Sequence, residues 1–436
     1  MSNKNYVPLN EFVLLQRGFD LPQSDRICGD IPVVASTGVA GFHNEYKVDA
    51  PGVVIGRSGS IGGGQYITKK FWPLNTTLWV KDFKGHDARY VYYLLKSIDF
   101  QRFNVGTGVP TLNRNHLSSV LVKNLGYKNE KLIAKILGDL DDKIHLNNQL
   151  NKTLESIAQA LFKSWFIDFD PVRAKIEARQ EGKDPVLAAM CVISGKSEAE
   201  LRQMAKEDFA ELQATAALFP DELVESELGE VPKGWVVSTV GDQIQTVGGG
   251  TPSTKNVDFW DDGIHYWTTP KDLSNLTDKI LLNTERKITD AGLKKISSGL
   301  LPKDTVLMSS RAPVGYLALS KIEVAINQGY IAILPNMKYS AEYLIQWCEA
   351  NMAEIKGRAS GTTFQEISKK NFREISFFCP DDKVVVSYTK TVKTLYDEIT
   401  SKAKENQSLI NLRDTLLPKL MSGEISLNKN MGSIDD

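Results

Sequence analysis

The chain has 436 residues, 42% of them hydrophobic, which is enough for two to four domains with packed cores. The net charge of −1 is unevenly distributed: residues 168–231 carry 15 acidic and 7 basic side chains, which leaves +7 on the rest and permits a polyanionic partner without demonstrating one. No apolar run approaches the length of a membrane span and the first ten residues lack the apolar core of a signal peptide, so we expect a cytoplasmic protein.

Residues 6–125 have the pattern of a globular α/β unit. The apolar runs 53–55 and 77–80 predict strands, and residues 88–98, with apolar side chains on one face, predict a short amphipathic helix. Between these elements lie two turns rich in backbone donors and short hydroxyl side chains, residues 56–64 and 105–110.

A long helix is predicted over residues 129–166, because apolar side chains recur there at alternating steps of four and three. At 1.5 Å per residue such a helix is roughly 55 Å long, more than the core of an ordinary domain needs, which indicates a spacer packed along another helix. The apolar side chains predicted to make that pairing are Ile133, Leu137, Leu140, Ile144, Leu154 and Leu161.

An acidic connector follows the long helix. Pro171 predicts the end of the helix, since proline disfavours helical geometry in the residue before it. Residues 184–219 have mixed helical patterning with alanine-rich and acidic turns. This pattern predicts short helices packed on the surface, with partial disorder as the alternative because of its polarity.

A second globular unit begins near residues 229–235 and repeats the plan of the first. Its predicted strands are residues 305–308 and 330–333, and its amphipathic helix is predicted over residues 341–355. A second heptad pattern follows. Its predicted pairing positions are Val392, Leu395, Ile399, Leu409 and Leu416.

The two halves are related by an offset of 255 positions, which also holds for a polar step of the heptads, Asn151 with Asn406. Upstream the offset changes only slightly, to 254 for Arg57 and Arg311. The segments that precede these two arginines differ in length between the copies. Chance periodicity would not keep one offset across a loop and a long helix. We therefore infer an internal duplication.

Catalytic motifs are absent from the sequence. It contains no GxxxxGK(S/T), HExxH, GxSxG or strand-to-helix GxGxxG, and no Asn-Pro-Pro-Tyr or Asp-Pro-Pro-Tyr of the kind that accompanies amino-methyl transfer to adenine. The glycine-rich residues 59–64 have the wrong spacing for a phosphate loop, and the five histidines are interpreted as surface or core imidazoles. The four cysteines form no CxxC pair, which disfavours a zinc site, and we expect them to be small buried hydrophobic side chains.

Five segments stand in a specific order: LQRGFDLP (15–22), LFKSWFIDFDPV (161–172), GEVPKGW (229–235), MSSRAPVG (308–315) and LLPKLMSGEI (416–425). Together they make the chain resemble the specificity subunit of type I restriction-modification systems over nearly its whole length. The resemblance implies two target-recognition domains that each read one half of a gapped DNA sequence. It also implies methylation (M) subunits that use S-adenosylmethionine to methylate adenine, and restriction (R) motor subunits that use ATP and Mg, with no cofactor in this chain.

The expected fold class is a tandem duplication of α/β (α+β) target-recognition domains, separated by two long antiparallel coiled-coil helices with pseudo-two-fold symmetry. The boundaries are predicted at 1–126 for the first recognition domain, 127–168 for the first spacer helix, 169–230 for the acidic connector, 231–380 for the second recognition domain, 381–424 for the second spacer helix and 425–436 for the tail.

The candidate DNA contacts are cationic, amide and hydroxyl side chains, and two pairs of them, Arg57 with Arg311 and Thr107 with Thr362, lie at matching positions of the two copies. They are Arg17, Arg57, Ser58, Asn75, Thr107, Arg114, Lys255, Ser310, Arg311, Gln328, Thr362, Lys369 and Lys370. Structural alternatives stand beside them: a salt bridge inside the domain for Arg57 and Arg311, a simple turn for the threonines, and plain solvation for the adjacent lysines. Asn151 and Asn406 are interpreted as fixing helix register.

Two other classes of function compete with this interpretation. A coiled-coil adaptor without DNA specificity explains the helices but not two copied globular units with arginine- and hydroxyl-bearing loops. A self-sufficient restriction enzyme needs methyl-donor and nuclease motifs that the sequence lacks. We therefore expect a non-catalytic subunit that binds double-stranded DNA and the M and R subunits, and no membrane.

Overall fold

The computed structural model describes residues 5–227, 229–361, 365–425 and 427. The chain forms two compact units, one made of Met1–His145 with Asn406–Asp436 and the other of Leu146–Glu405. Each of two long helices contributes one part of its length to the first unit and the other part to the second.

The first unit is an α/β domain. Its described strands are β1 (Tyr6–Pro8), β2 (Leu14–Arg17), β3 (Ile31–Ala35), β4 (Gly38–His43), β5 (Gly52–Gly56), β6 (Gly62–Ile67), β7 (Trp72–Pro73), β8 (Thr77–Asp82) and β9 (Leu121–Lys123). Its described helices are α1 (Leu9–Phe12), α2 (Ala88–Ser97), α3 (Arg114–Leu117), the first part of α4 (Tyr127–Phe166) and the last part of α15 (Asp382–Ser422).

The central sheet of the first unit has the order β2-β8-β5-β6, with every neighbouring pair antiparallel. β5 is buried along its whole length, as its uninterrupted run of glycine and β-branched residues favours. Asp87 caps α2 by accepting a hydrogen bond from the N–H of Tyr90, and the apolar face of α2 packs into the same core as the sheet. A second sheet, β4-β3-β7, and the antiparallel pair β1-β9 complete the unit.

The second unit contains the connector, a second α/β domain and the remaining parts of the long helices. Its described strands are β10 (Leu223–Ser226), β11 (Gly229–Pro232), β12 (Val236–Thr239), β13 (Gln245–Gly248), β14 (His265–Thr268), β15 (Ile280–Leu281), β16 (Arg286–Ile288), β17 (Val306–Ser309), β18 (Leu317–Ser320), β19 (Ala325–Ile326), β20 (Tyr330–Leu334) and β21 (Ser376–Cys379). Its described helices are α5 (Asp170–Gln180), α6 (Pro185–Ser194), α7 (Glu198–Leu201), α8 (Lys206–Ala217), α9 (Val240–Gln243), α10 (Pro270–Ser274), α11 (Asp290–Leu293), α12 (Ala341–Ala350), α13 (Met352–Gly357), α14 (Lys369–Arg373) and α15 (Asp382–Ser422).

The second α/β domain repeats the strand order of the first. Its main sheet has the order β13-β20-β17-β18-β15, and the first four of these strands take the places of β2, β8, β5 and β6. The pair β12-β21 corresponds to β1-β9, and the sheet β16-β14-β19 corresponds to β4-β3-β7 with the same mixture of antiparallel and parallel pairs. The predicted tandem duplication is therefore confirmed.

The two long helices, α4 and α15, have 40 and 41 residues. They are antiparallel in each unit. In the first, Arg413 meets Asp141, and Lys123, just before α4, donates to the carbonyl of Ser422 at the end of α15. In the second, Asn147 donates to Glu405 and the Tyr388 hydroxyl donates to the carbonyl of Ala158. All eleven apolar side chains at the predicted pairing positions are buried or half-buried. Neither helix, nor any other in the described part of the chain, is apolar enough over a sufficient length to cross a membrane.

The connector forms short helices, as predicted. Phe169 has a left-handed backbone with φ 57°, and this turn separates α4 from α5, which has a proline in its first turn. Helices α6 to α8 share a small apolar core of their own. The Lys175 ammonium is buried and donates to the carbonyl of Phe219, which fixes α5 against the end of the connector.

Two expectations are wrong. The helix predicted over residues 341–355 is interrupted at Asn351, which caps the end of α12 before α13 begins. The cysteines are not uniformly buried: Cys348 is, because it lies on α12 in the core, whereas Cys28 is exposed in a loop before β3. Cys191 and Cys379 are half-buried.

Candidate nucleic-acid interface

Three arginines of the first unit lie around one cleft of about 380 Å³. Arg17 ends β2, Arg57 directly follows β5 and Arg114 begins α3. The other lining residues are the polar Thr111, Asn113 and Asn115 and the apolar Leu78, Val105 and Leu112. The fold thereby collects cations from three separate parts of the sequence at one edge of the central sheet.

Backbone hydrogen bonds fix Arg57 at this cleft. Its N–H donates to the carbonyl of Thr76 and its own carbonyl accepts from the N–H of Leu112, both over 2.8 Å. Its guanidinium Nη1 donates to the carbonyl oxygen of Asn75 over 3.3 Å. Within the described part of the chain Arg57 has no carboxylate partner, so its charge is available to an anionic ligand.

The other two arginines are held more loosely. Arg17 forms an exposed ion pair with Asp20 over 3.7 Å, and the amide of Asn75 donates to the same carboxylate. Arg114 is exposed, and its Nη1 lies 3.5 Å from the carbonyl of Leu15. These long contacts leave both guanidinium groups free to turn toward a phosphate.

The hydroxyl candidates of the first unit lie in the neighbouring loops. Ser58 is half-buried, and its N–H donates to the carbonyl of Thr76. Thr107 is exposed in the loop that Asn104 organises by accepting hydrogen bonds from two backbone N–H groups. A Cβ on Gly106 would lie 1.9 Å from the carbonyl of Val109, so this tight loop requires glycine.

In the second unit Ser310 and Arg311 directly follow β17, at the place that Arg57 has after β5. Ser310 is only 3% exposed, and its backbone bonds to Gly329 and Ile367, so little of its side chain is accessible to a ligand. Arg311 pairs with Glu366 over 3.7 Å, with side chains that are 37% and 47% exposed. Arg311 therefore does form an ion pair inside its domain, which was the structural alternative to a DNA contact. This ion pair is long and exposed to solvent.

The lysine candidates lie on α14. Ser368 caps this helix by accepting a hydrogen bond from the N–H of Asn371, which places Lys369 in its first turn. The Nζ of Lys369 lies beside Gly248 at the end of β13, whereas the exposed Lys370 makes a 3.9 Å contact with Glu374.

The remaining candidates are dispersed. Gln328 is exposed next to β20 and accepts a hydrogen bond from the hydroxyl of Thr251. Lys255 is exposed in the loop that precedes the 3-10 turn Val257–Phe259. Thr362 lies outside the described residues.

Two cations recur at equivalent places of the two domains. Arg57 and Arg311 follow equivalent central strands, and Arg114 and Lys369 begin equivalent short helices, α3 and α14. In the first domain these two positions share one cleft. The equivalence indicates that each domain presents cations from the same edge of its central sheet.

One further cation was missed by sequence reasoning. The guanidinium of Arg286 lies 3.5 Å from the ring centroid of Trp260 and 5.8 Å from that of Trp267, and the side chain is exposed. Both indole N–H groups donate to backbone carbonyls, which fixes the two rings. The only sequence signal for this site was the pair of adjacent basic residues Arg286 and Lys287. The tryptophans that orient Arg286 are distant along the chain.

A family model for the type I restriction modification DNA specificity domain matches residues 1–156 and 232–410. The specificity subunit of the type I restriction enzyme HindI from Haemophilus influenzae is 34% identical over 330 residues, which are 72% of this chain and 71% of that protein. The specificity subunit of the type I restriction enzyme MjaIX from Methanocaldococcus jannaschii is 34% identical over 190 residues, or 43% of this chain and 44% of that protein.

A solved structure shows a similar fold. The S subunit of a type I restriction-modification system from M. genitalium has a TM-score of 0.52 to this chain at 15% sequence identity. The alignment covers 97% of both chains. At this identity the likeness concerns the fold.

Proposed function

The chain belongs to the family of type I restriction-modification specificity subunits, and we propose that it binds double-stranded DNA at one bipartite, gapped sequence and directs adenine methylation and restriction by partner subunits to that sequence. The observation that carries this proposal is the repetition of one sheet order with cations at equivalent places, Arg57 with Arg311 and Arg114 with Lys369.

The chemistry of the first domain suits a DNA ligand. Duplex DNA presents closely spaced phosphates, which require cations, and base edges, which require placed donors and acceptors. The cleft between Arg17, Arg57 and Arg114 supplies three guanidinium groups together with asparagine and threonine side chains. An arginine can contact a phosphate or, through both of its terminal nitrogens, the O6 and N7 of a guanine.

Two such domains on one chain account for a site with two parts. Each domain has its own core, so each reads its half-site with its own side chains. The long helices make the separation of the two half-sites a fixed property of the protein, as half-site spacing is in dimeric DNA-binding proteins. The coiled-coil adaptor explains the helices but not the repeated cationic positions.

The reaction itself belongs to the partners in this proposal. The M subunits bind S-adenosylmethionine and methylate adenine after the base has been turned out of the duplex. The R subunits use ATP and Mg to move along and cut unmodified DNA. The present chain contributes the contacts that select the sequence and hold both kinds of subunit on it.

The test is methylation-sensitive sequencing of DNA from cells that contain this chain and its M subunit. We expect methylated adenines in one bipartite sequence with a single gap length. The double variant Arg57→Ala/Arg114→Ala, which removes two cations from one cleft, should lose one half of that sequence and keep the other. A continuous motif would contradict the proposal, and failure to bind any duplex with the M subunit present would favour the adaptor.

A further inference from the structure

Four polar side chains connect the second recognition domain to its helix pair, and we call them the junction cluster: Asn151 and Glu155 on α4, and Asp278 and Lys279 just before β15. The amide nitrogen of Asn151 donates to Oδ2 of Asp278 over 3.2 Å and to the carbonyl of Ile399 on α15 over 3.3 Å. One side chain thus contacts both long helices and the domain.

A second connection runs through Lys279. Its ammonium lies 2.9 Å from Oε1 of Glu155 on α4 and 2.9 Å from Oε2 of Glu349 on α12. Burial acts to lower the pKa of Lys279, but the two carboxylates outweigh it and hold the pKa above its usual value, so the ammonium stays charged. The amide of Gln346 also donates to Glu155, and it bonds to the hydroxyl of Tyr396 on α15.

The junction cluster borders a cleft of about 570 Å³ between α4 and the domain. The charged and hydrogen-bonded side chains of the cluster reach from the domain to α4 at this opening. Farther along α4 the contact with the domain is aromatic, through Phe162 and Phe166 against Tyr343 of α12, and both phenylalanine rings also pack on Tyr388 of α15. Ring contacts of this kind are less directional than hydrogen bonds and tolerate small rotations.

We propose that the junction cluster sets the orientation of the second recognition domain on its helix pair and, through it, the length of the gap between the two half-sites. This inference rests on the proposed function. The residues of the junction cluster are positioning residues, since none of them is required to contact DNA.

The distance that a half-site moves when the gap changes by one base pair supports this role. Adding one base pair to the gap moves a half-site by about 3.4 Å along the duplex and rotates it by roughly one tenth of a turn. A domain that follows this movement must lose its contacts of 2.9 and 3.2 Å to α4, because a hydrogen bond does not survive beyond about 3.5 Å. In some proteins buried polar groups contribute more to a unique geometry than to stability, and this is the division of roles inferred here.

The test uses the full chain with its M subunit, S-adenosylmethionine and a DNA library in which the two half-sites are separated by every gap from shorter to longer than the natural one. Two double variants remove the two connections separately: Asn151→Leu/Asp278→Ala and Glu155→Met/Lys279→Met. The first variant removes both partners of its contact. The second removes Glu155 and Lys279 together and leaves only Glu349 without its cation, and that side chain is 36% exposed, so water can solvate it. The matched control is Lys321→Met/Glu342→Met, which removes a lysine and one of its two carboxylate partners inside the domain and leaves only the half-exposed Asp304.

Wild type and control should methylate one gap length. Each junction variant should methylate additional gaps, one base pair longer or shorter, at rates within about tenfold of the original, with unchanged half-site sequences. A variant that folds, by its thermal unfolding, and keeps the single gap would overturn the inference. Loss of cooperative unfolding in both variants would also overturn it, since the cluster would then serve stability. Absence of any bipartite methylation by the wild type would instead refute the proposed function.

Discussion

Arg413 of α15 lies with Nη1 2.8 Å from Oδ1 of Asp141 on α4, and the same carboxylate accepts a hydrogen bond from the hydroxyl of Tyr93 over 2.7 Å. At the repeat offset of 255, Asp141 corresponds to Tyr396 and Arg413 to Ala158. The duplicated helices therefore keep their apolar pattern but not this ion pair. The two helices therefore differ in the residues at these two positions: an acidic residue in α4 corresponds to a tyrosine in α15, and an arginine in α15 corresponds to an alanine in α4.

The first prediction concerns that pair. The side chains of Arg413 and Asp141 are 16% and 22% exposed, so the charges are partly desolvated. We expect Arg413→Met to lower the free energy of unfolding by about 2 kcal/mol, because it leaves the carboxylate without its cation. In a double-mutant cycle measured by urea unfolding, Asp141→Leu added to Arg413→Met should cost less than the sum of the single changes. Additive losses would mean that the two side chains do not interact.

The second prediction concerns a chain that ends after Pro171. It keeps the first recognition domain and α4, whose apolar positions would face water without α15, at about 25 cal/mol per Å² of apolar surface. We therefore expect the fragment to form an antiparallel two-fold homodimer and, with the M subunit, to methylate a palindromic gapped site made of the first half-site and its inverted copy. Sedimentation and methylation sequencing would measure both. A soluble monomer, or modification of the original asymmetric site, would contradict pseudo-two-fold pairing.

The third prediction refines that dimer. If the fragment pairs in the register of the Asp141–Arg413 contact, Asp141 of each copy faces Ala158 of the other. Ala158→Arg should then restore an ion pair twice and lower the dissociation constant of the fragment dimer, about tenfold for each 1.4 kcal/mol gained. The control Ala158→Met adds length without charge. Equal dimer affinity for the arginine and methionine variants would show a different register.

The fourth prediction concerns Arg311 and Glu366. Arg311→Ala should weaken binding to one half-site by about 1–3 kcal/mol and leave the other half intact, since the domains have separate cores. Glu366→Gln should act in the opposite direction, because it removes a carboxylate that competes for the guanidinium. Fluorescence anisotropy with duplexes altered in one half at a time would separate these effects. Equal loss at both halves would indicate damage to folding.

The fifth prediction concerns pH and Tyr90. Its hydroxyl is buried and has no hydrogen-bond partner within the described part of the chain, and burial, assisted by the nearby Glu130 carboxylate, raises its pKa. The unfolded chain releases this proton near pH 10, whereas the folded chain retains it. The unfolded state then binds fewer protons, so stability falls above about pH 10, by up to about 1.4 kcal/mol per pH unit for this group.

Tyr90→Phe should remove that contribution and also raise the free energy of unfolding at neutral pH by about 1 kcal/mol, since an unsatisfied buried hydroxyl is lost. Urea unfolding at pH 7, 9 and 10.5 would measure both effects. The exposed Tyr127 provides the control, because Tyr127→Phe should change neither. Identical alkaline slopes for wild type and Tyr90→Phe would refute this account.

The sequence by itself was sufficient for the duplication and for the elements with strong periodicity. The strands predicted at residues 53–55, 77–80 and 330–333 exist, as do the helix predicted over 88–98 and both long helices. Periodic burial is a local property, with neighbours two, three or four positions apart, so it can be read without knowing the fold. The break at Asn351 was missed because a helix cap depends on backbone geometry more than on pattern.

Only the tertiary structure decided which side chains meet. It placed Arg17, Arg57 and Arg114 around one cleft, set Arg286 on Trp260, and joined Lys279 to Glu155, 124 positions away. It also left Cys28 exposed, against the expectation from its residue type. Contacts of this kind depend on how strands are ordered and helices docked, and no local spacing encodes them, because a hydrogen bond requires two atoms within about 3.5 Å whatever their distance along the chain.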